Sequence, residues 1–329
     1  MVNVFAPKVS IIVATLNNEQ TIEECLKSII ELDYPKDLLE IIVIDGCSKD
    51  ATLKIAQKYP VKVISVPLNA PAAYNYALKI ATSELLGFID ADAKVERDWL
   101  KKLAPAMANP QVAGISGNIE TWNEENIWAR NIGYDLKNRY ARLKKSTTRI
   151  ATMNLLLKKS VIEEIGGFDE NLPSQYDTDL GFRITNRGYK LIFEPNAKCY
   201  HFNRPSIAGY FRQQLQYGKN TLKLYFKHNK LIQGDEITDF GMNIQPVLIL
   251  AIITFFLLGI PEIFRPSLYV SAFILTLIFI YYIFSATKLM IKFKDVTAIL
   301  LVVIYFVRAL AWFTGGVITT ANFLIGAKR

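Results

Sequence analysis

The sequence predicts an α/β domain with a mostly parallel sheet and flanking helices, followed by an α-helical membrane domain. Short apolar segments alternate with helical patterns over the first hundred residues, which is typical of a parallel sheet. The whole chain, with 51% hydrophobic residues and a mean hydropathy of +0.20, is too apolar for an ordinary soluble domain. From position 244 to 325 the only charged residues are Glu262, Arg265, Lys288, Lys292, Lys294, Asp295 and Arg308.

Four buried strands are predicted in the first part of the chain. They are "VSIIVAT", "LEIIVIDG", "VKVISV" and "LLGFIDA", which are nearly continuous in Val, Ile, Leu and Phe. Helical patterns occur between them, in "TIEECLKSIIEL", "SKDATLKIAQKY" and "APAAYNYALKIA". This order of elements predicts parallel strands that are joined by right-handed crossovers.

Polar residues follow three of these strands. Thr15 and Asn17 come at the end of the first strand, Asp45 ends the second, and Asp90 and Asp92 follow the fourth. Because ligands of such sheets bind at the carboxyl ends of the strands, these residues are expected to line one crevice. The glycine-rich motifs of dinucleotide and P-loop sites do not occur in the sequence. An acidic crevice that binds a phosphate compound needs a cation, so "DAD" is expected to hold Mg²⁺ or Mn²⁺.

The last ninety residues contain three hydrophobic stretches, at 244–260, 267–290 and 296–325. A bilayer takes about 20 helical residues, so the first stretch is marginal, the second fits, and the third is long enough to tilt or break. The pair Gly315 and Gly316 in the third stretch predicts a kink, a close helix contact or the start of a second short segment.

The predicted location is the cell membrane, with several passes and the first domain in the cytosol. The amino terminus does not resemble a signal peptide. Lys288, Lys292 and Lys294 separate the second and third stretches, and the positive-inside rule places them on the cytosolic side. The three widely spaced cysteines suit a reducing compartment. The net charge of +8 favours anionic lipids over nucleic acid as the partner, because no nucleic-acid motif occurs.

Four segments together resemble the inverting family 2 glycosyltransferases, which have the GT-A fold. They are "VSIIVATLNNEQTIEECLKSI", "IIVIDGCSKDAT", "FIDADAKVERDWL" and "IGGFDENLPSQYDTDLGFRITNRGYKLIFEPNAKCYHFNRPS". The resemblance covers roughly residues 8–220, and the four motifs occur in the order that the family shows.

The resemblance implies roles for the donor-side residues. Asp45 corresponds to the acid that contacts the nucleotide base or ribose; the alternative is an Asp that caps the turn before Gly46. In the DXD motif, Asp92 contacts the metal and Asp90 lies near the ribose and the metal; the alternative is an Asx turn before a helix. Three further residues match the first nucleotide-side loop, although the last two of them are also suited to capping the next helix: Thr15, Asn17 and Glu19.

On the acceptor side, the resemblance assigns the catalytic base to Asp177 in "QYDTDLGFR". Tyr176 stands where relatives commonly have Glu, so the sequence leaves open which groups adjust the pKa of the base. Asp179 is expected to cap a helix or to pair with Arg183 rather than to act in catalysis. His201 corresponds to a histidine that completes the metal site in several relatives; the alternative is a structural hydrogen-bonding residue.

Basic and polar residues outside these motifs each have two possible roles. Arg212, Gln213 and Gln214 lie in a segment with interleaved aromatic and basic residues, and are candidates for acceptor or diphosphate binding or part of a solvated face. Arg308 is expected either to reach the membrane interface or to bind an anionic group such as an acceptor phosphate. The segment 128–149 is either a solvated helix and loop or a patch that faces anionic lipid; its basic residues are Arg130, Arg139, Arg142, Lys144, Lys145 and Arg149.

These observations predict a metal-dependent inverting glycosyltransferase that transfers a sugar from a UDP- or GDP-linked donor to a lipid-linked acceptor. The predicted parts are a catalytic domain at 1–205, an amphipathic interfacial segment at 206–240 and a transmembrane domain of about three helices at 241–329. The alternatives are a processive polysaccharide synthase, which would need a homo-oligomer to form a pore, and a polyprenyl-phosphate monosaccharide synthase. A non-catalytic membrane receptor would not explain three intact acidic motifs.

Overall fold

The computed structural model describes residues 6–326, which divide into two compact units. The first, here called the sheet unit, contains the described residues up to Trp122 together with Arg142–Phe202. The second, here called the helical unit, contains Asn123–Ala141 and the described residues from Asn203 onward.

Nine strands within the described residues form one sheet, which lies in the sheet unit. They are β1 (Val9–Thr15), β2 (Leu39–Asp45), β3 (Lys62–Ser65), β4 (Leu85–Phe88), β5 (Ala93–Val95), β6 (Val112–Thr121), β7 (Ser146–Thr147), β8 (Leu155–Lys158) and β9 (Lys190–His201). The strand order is β3-β2-β1-β4-β8-β6-β9-β5, and β7 also pairs with β9.

The α-helices of the sheet unit are α1 (Ile22–Ile30), α2 (Thr52–Ala56), α3 (Ala70–Ile80), α4 (Trp99–Leu103), α6 (Lys159–Glu164) and α7 (Tyr176–Asn186). Those of the helical unit are α5 (Ile127–Tyr140), α8 (Ile207–Lys227), α9 (Phe240–Asn243), α10 (Gln245–Leu258), α11 (Pro266–Phe293) and α12 (Leu301–Leu324).

The fold class predicted from the sequence is confirmed. The four strands predicted in the first hundred residues are β1 to β4, and they pair in parallel in the order β3-β2-β1-β4. The remainder of the sheet is mixed, because β8 runs antiparallel to both β4 and β6 while β6 and β9 are parallel. The sequence does not predict these later strands, which extend the sheet beyond the parallel part.

Helix α1 shows why the local pattern produces this packing. Its buried residues recur at positions three and four apart, as a helix with one face against a sheet requires. They are Ile22, Cys25, Leu26 and Ile29. The helix predicted over "SKDATLKIAQKY" is shorter than its pattern, since α2 has only five residues.

Because β1, β2 and β4 are parallel, the loops that follow these three strands lie at one edge of the sheet.

The helical unit contains three helical segments that are long and apolar enough to cross a membrane, judged over the described residues by length and composition. They are Phe240–Leu258, Pro266–Phe293 and Val296–Leu324, with 19, 28 and 29 residues. The predicted number of apolar helices is therefore confirmed. The assignment of Lys288, Lys292 and Lys294 to the cytosolic side stays a prediction.

The pair Gly315 and Gly316 makes a close helix contact, one of the three alternatives that the sequence leaves open. A Cβ atom on Gly315 would lie 2.6 Å from the backbone nitrogen of Lys219, and one on Gly218 would lie 2.6 Å from Cα of Trp312. Helices α8 and α12 therefore cross with their backbones in contact, as small residues allow. Because α12 continues through both glycines to Leu324, they do not begin a second helix.

Candidate active site

Thr15 and Asp45 lie side by side at the carboxyl ends of β1 and β2. The parallel register pairs these two residues directly. The buried Asp45 carboxylate accepts hydrogen bonds from the backbone nitrogen of Ser48 at 3.1 Å and from the Ser65 hydroxyl at 2.8 Å. Asp45 thus caps its own turn, which was the structural alternative for this residue. Its contact with a nucleotide stays a prediction.

Asn17 and Glu19 connect the loop after β1 to the loop after β2. The Asn17 side-chain oxygen accepts from the backbone nitrogen of Lys49 at 2.8 Å, and the Glu19 carboxylate accepts from that of Ala51 at 3.0 Å. Thr21 at the start of α1 makes no capping bond with its side chain. The two side chains therefore brace the second loop instead of capping α1, so that both loops form one rim beside Thr15 and Asp45.

Asp90 is held by hydrogen bonds at the end of β4. Its Oδ1 accepts from the Tyr74 hydroxyl at 2.9 Å, and the Thr152 hydroxyl also bonds to the carboxylate. Burial, followed by the negative charge of Asp92, raises the pKa of Asp90 above its ordinary value. A cation beside the two carboxylates would offset the burial and the negative charge of Asp92 that act on Asp90.

Asp92 and His201 face each other across an antiparallel pair of strands. The register of β5 and β9 pairs Ala93 with His201, and the backbone nitrogen of Phe202 donates to the Asp92 carbonyl oxygen at 2.8 Å. Nε2 of His201 consequently lies 3.5 Å from Oδ1 of Asp92. The strand pairing explains how two residues distant in sequence reach one position.

The predicted metal ligands are only partly assembled. Within residues 6–326, no group of three or more His, Cys, Asp or Glu side chains has the arrangement of a metal site. Asp92 and His201 come together, whereas Asp90 is turned toward Tyr74. The Asp92 carboxylate still fits Mg²⁺ or Mn²⁺, because such ions are commonly held by one or two carboxylates together with water and substrate phosphates.

Asp177 lies in the first turn of α7, after Gln175, which adopts a left-handed backbone conformation with φ of 63°. The Thr178 backbone nitrogen donates to Asp177 Oδ1 at 2.7 Å. Burial raises the pKa of the Asp177 carboxyl, and the positive charge of Arg149 opposes this rise. A carboxylate with a raised pKa is a better proton acceptor, which suits the predicted role of a general base.

The neighbours of Asp177 have structural partners. Asp179 is buried and binds Nε of Arg183 at 2.8 Å, so the predicted pairing of these two residues is confirmed. Tyr176 packs against Tyr74 with ring centroids 5.8 Å apart. Since Tyr74 also bonds to Asp90, aromatic packing joins the first turn of α7 to the DXD motif.

The part of the chain that contains the donor-side residues matches a known protein family. Residues 10–166 match the family described as glycosyl transferase family 2. The chain contains a glycosyl transferase family 2 domain. The matched segment carries Thr15, Asp45, Asp90 and Asp92 and ends before Asp177 and His201, so the candidate base and the histidine lie beyond it.

Several relatives of the chain are named as glycosyltransferases. Glycosyltransferase AglE of Haloferax volcanii is 26% identical over 227 residues, which are 67% of this chain and 74% of AglE. A Methanococcus voltae protein is 25% identical over 230 residues, 64% of this chain and 71% of its own; it is a dolichyl N-acetyl-alpha-D-glucosaminyl phosphate 3-beta-D-2,3-diacetamido-2,3-dideoxy-beta-D-glucuronosyltransferase. Two further relatives are longer, and the chain spans 57% and 48% of their lengths.

A solved structure has the same fold. Mannosyltransferase PcManGT from Pyrobaculum calidifontis, in complex with GDP-Man and Mn²⁺, superposes with a TM-score of 0.62 at 21% identity. The superposition covers 97% of this chain and 88% of PcManGT. The family 2 domain therefore has the GT-A fold.

Three polar residues predicted for the acceptor or diphosphate side lie on α8 of the helical unit. Gln214 is buried, and its side-chain oxygen accepts from Nε1 of Trp312 at 2.9 Å. Arg212 is exposed and Gln213 partly exposed. Gln214 thus joins α8 to α12, while a role for any of the three in substrate binding stays a prediction.

Arg308 is buried in the helical unit and binds a protein carboxylate. The side chain of this α12 residue is 5% exposed, and Nη1 lies 3.0 Å from Oδ2 of Asp135 in α5. Arg139 approaches the same oxygen at 3.1 Å. Arg308 is therefore paired inside the helical unit with Asp135 as its observed anionic partner, and binding of an acceptor phosphate stays a prediction.

The basic cluster of segment 128–149 is divided by these contacts. Arg130 pairs with Asp295 at 3.0 Å, and Arg139 pairs with Asp135. Arg149 donates to the Thr178 hydroxyl at the start of α7. The exposed members are Arg142, Lys144 and Lys145, which reduces the part of this cluster that is available to a lipid surface.

Tyr74 and Thr152 are site residues that sequence reasoning missed. Both support the Asp90 carboxylate. Tyr74 lies in the apolar face of α3, where an aromatic residue is usual, and Thr152 lies in an irregular loop before β8. Neither position has a motif that marks it.

Proposed function

We propose that the protein is a membrane-anchored, metal-dependent, inverting glycosyltransferase with a nucleotide-diphosphate sugar as donor and a lipid-linked molecule as acceptor. The observation that carries this proposal is the meeting of Asp92 and His201 at the edge of the sheet where Thr15 and Asp45 also lie. A family 2 domain supports the reaction class. Three apolar helical segments support anchoring. We propose that the family 2 domain lies at the cytosolic face, because Lys288, Lys292 and Lys294 separate the second and third segments.

On the donor side, Asp45 and the rim formed with Asn17 and Glu19 would hold the nucleoside. The complex of PcManGT with GDP-Man and Mn²⁺ supports a nucleotide-diphosphate sugar as the donor. Asp92 and His201 would hold Mg²⁺ or Mn²⁺, which when bound supplies positive charge for the leaving diphosphate. The hydrogen bonds of Tyr74 and Thr152 keep Asp90 oriented beside them.

On the acceptor side, Asp177 takes the proton from the acceptor hydroxyl. The hydroxyl oxygen then forms a bond with the anomeric carbon, and the bond from that carbon to the diphosphate oxygen breaks on the opposite face. This displacement inverts the anomeric configuration. A carboxylate whose pKa is raised by burial is suited to accepting this proton.

A lipid acceptor is supported by the helical unit. The Methanococcus voltae relative is named for a dolichyl-linked acceptor. The helical unit has an apolar cavity of about 300 Å³, with Leu222, Tyr225, Val247 and Trp312 among its lining residues. We assign this cavity to the hydrocarbon chain of the acceptor, because its walls belong to α8 and to two helices that are apolar enough to lie in a bilayer.

The experiment is a donor panel. Purified protein in lipid nanodiscs, supplied with a polyprenyl-phosphate-linked sugar, is incubated with UDP- and GDP-sugars, and nucleotide release and lipid mass are followed by mass spectrometry. We expect release and a matching mass increase for one donor, with loss of both on adding EDTA. Turnover that is unaffected by EDTA would exclude the metal. Nucleotide release from every donor without a glycosylated lipid would exclude the lipid acceptor.

A further inference from the structure

The segment from Thr147 to Ile150 is fixed on both sides. Thr147 pairs with Leu191 of β9, and Ile150 is buried in the core of the sheet unit. Between them, the Arg149 backbone nitrogen donates to the Thr147 hydroxyl oxygen at 2.9 Å. The backbone of Arg149 is therefore held in place, although the residue belongs to a run of basic residues that the sequence suggests is exposed.

This segment lies directly against α7. A Cβ atom on Gly181 would lie only 2.3 Å from the carbonyl oxygen of Thr148, so the glycine permits the close approach. The contact brings the Arg149 side chain to the first turn of α7, where Nη1 donates to Oγ1 of Thr178. Thr178 in turn donates from its backbone nitrogen to Asp177 Oδ1 at 2.7 Å, and its hydroxyl lies 3.4 Å from the same atom.

Arg149 is the cation that acts on Asp177 in this arrangement. On α7 itself, Asp179 and Arg183 are bound to each other, and the Tyr176 ring is packed against Tyr74. Burial raises the pKa of Asp177, while the charge of Arg149 is the largest of the influences that lower it, followed by hydrogen bonds from Thr178 and from the backbone. The resemblance to family 2 enzymes does not identify the group that adjusts the pKa of the base, because Tyr176 stands where relatives commonly have Glu.

We propose that Arg149 is a positioning residue for Asp177, which acts through Thr178 to keep the carboxylate oriented and ionised for proton transfer. This inference rests on the proposed role of Asp177 as the base. An arginine in this place compensates for burial, so that the carboxylate is deprotonated at neutral pH although it lies in a partly desolvated turn. Arg149 has no direct contact with the acceptor in this scheme.

The test is the pH dependence of kcat for Arg149→Met, Arg149→Lys and the control Lys144→Met, all in the full chain in nanodiscs. A base must be deprotonated to act, so a higher pKa moves the acid limb of the profile to higher pH. For Arg149→Met we expect this upward shift, with kcat below the limb falling about tenfold for each pH unit of displacement and recovering at alkaline pH. Donor affinity stays unchanged, Arg149→Lys restores part of the shift, and the exposed Lys144→Met matches wild type.

A second variant tests the same path without removing a charge. Thr178→Val keeps the shape of a buried side chain but lacks the hydroxyl, so the acid limb is expected to move in the same direction by a smaller amount. If both variants lower kcat by one factor at every pH, or leave the profile unchanged, Arg149 does not position the base. The variant Asp177→Asn separates the two proposals. Full turnover by Asp177→Asn would show that Asp177 is not the base. If Asp177→Asn is inactive but the pH profiles of Arg149→Met and Thr178→Val are unshifted, only the role of Arg149 is overturned.

Discussion

Nε2 of His201 lies 3.5 Å from Oδ1 of Asp92, and both residues are placed by the antiparallel pairing of β5 with β9. Because Asp90 is turned toward Tyr74, this pair carries the predicted metal binding. We expect Asp92→Ala to abolish transfer and to remove the Mn²⁺ dependence of donor binding with the fold intact. His201→Ala should weaken Mn²⁺ binding by at least about 10- to 100-fold, since loss of supporting residues alone has that effect.

Isothermal titration calorimetry with and without Mn²⁺ checks this prediction, and the exposed Asp37→Ala serves as the control carboxylate. Equal donor affinity for wild type and Asp92→Ala in both conditions would eliminate the metal site. A normal Mn²⁺ response in His201→Ala would limit the histidine to a structural role.

The two acids of "DTD" are expected to fail in different ways. Asp177→Asn should retain donor binding and lose about 10²- to 10⁴-fold in turnover, because the base acts only when the acceptor hydroxyl attacks. Asp179→Asn should instead lower the free energy of unfolding, because it breaks a buried ion pair with Arg183. Single-turnover kinetics and thermal unfolding on both variants provide the comparison. Near wild-type transfer by Asp177→Asn would assign the base to another residue.

The parallel half of the fold and its rim follow from local patterns. Continuous apolar runs identify β1, β2 and β4, and the rule for the carboxyl ends of parallel strands brings Thr15 and Asp45 together. The pairing of His201 with Asp92 depends on β5 and β9, two antiparallel strands that no pattern in the sequence connects. Family resemblance alone therefore predicts that His201 and Asp92 share one site, and the sheet shows the strand pairing that brings them together.

Long-range contacts of charged side chains are the part that the sequence does not reveal. The run of basic residues around Arg149 has the composition of an exposed surface, and only the close approach at Gly181 brings Arg149 beneath α7. Arg308 is likewise unusual because it lies in an apolar segment of the sequence. Its partner Asp135 belongs to a different helix that is distant in the chain. Composition indicates that such a charge needs a partner, and tertiary packing decides which one.

Gly315 and Gly316 offer a matched pair of substitutions. Gly315→Ala places a Cβ atom 2.6 Å from a backbone nitrogen and 2.7 Å from a backbone oxygen of α8, so we expect it to cost about 1–3 kcal/mol of stability. On Gly316 the nearest atom would be 3.7 Å away, at the end of the Leu222 side chain. Gly316→Ala should be neutral or stabilising by up to about 1 kcal/mol, because alanine favours the helix. Thermal unfolding in detergent compares them, and equal stability would contradict the close crossing.

Filling the apolar cavity tests its assignment to the acceptor chain. Gly316 lines the cavity, and Gly316→Phe should occupy part of its volume of about 300 Å³. We expect a higher KM for a long-chain polyprenyl acceptor and no change for a short water-soluble analogue or for the donor. Gly316→Ala is the control, since it leaves most of the cavity open. An equal rise in KM for both acceptors, or no rise for either, would contradict the assignment.

Asp135 is shared by Arg308 at 3.0 Å and Arg139 at 3.1 Å, and the order of stability losses follows from this geometry. Asp135→Asn leaves two guanidinium groups without their shared counter-charge, and we expect a loss of about 3–5 kcal/mol, as for other broken buried pairs. Arg308→Leu should cost less, because Asp135 keeps Arg139. Arg139→Leu should cost least, since Arg139 is 19% exposed while Arg308 is 5% exposed. Unfolding in detergent measures this order, with acceptor KM determined in parallel. A higher acceptor KM for Arg308→Leu at unchanged stability would instead assign Arg308 to the anionic group of the acceptor.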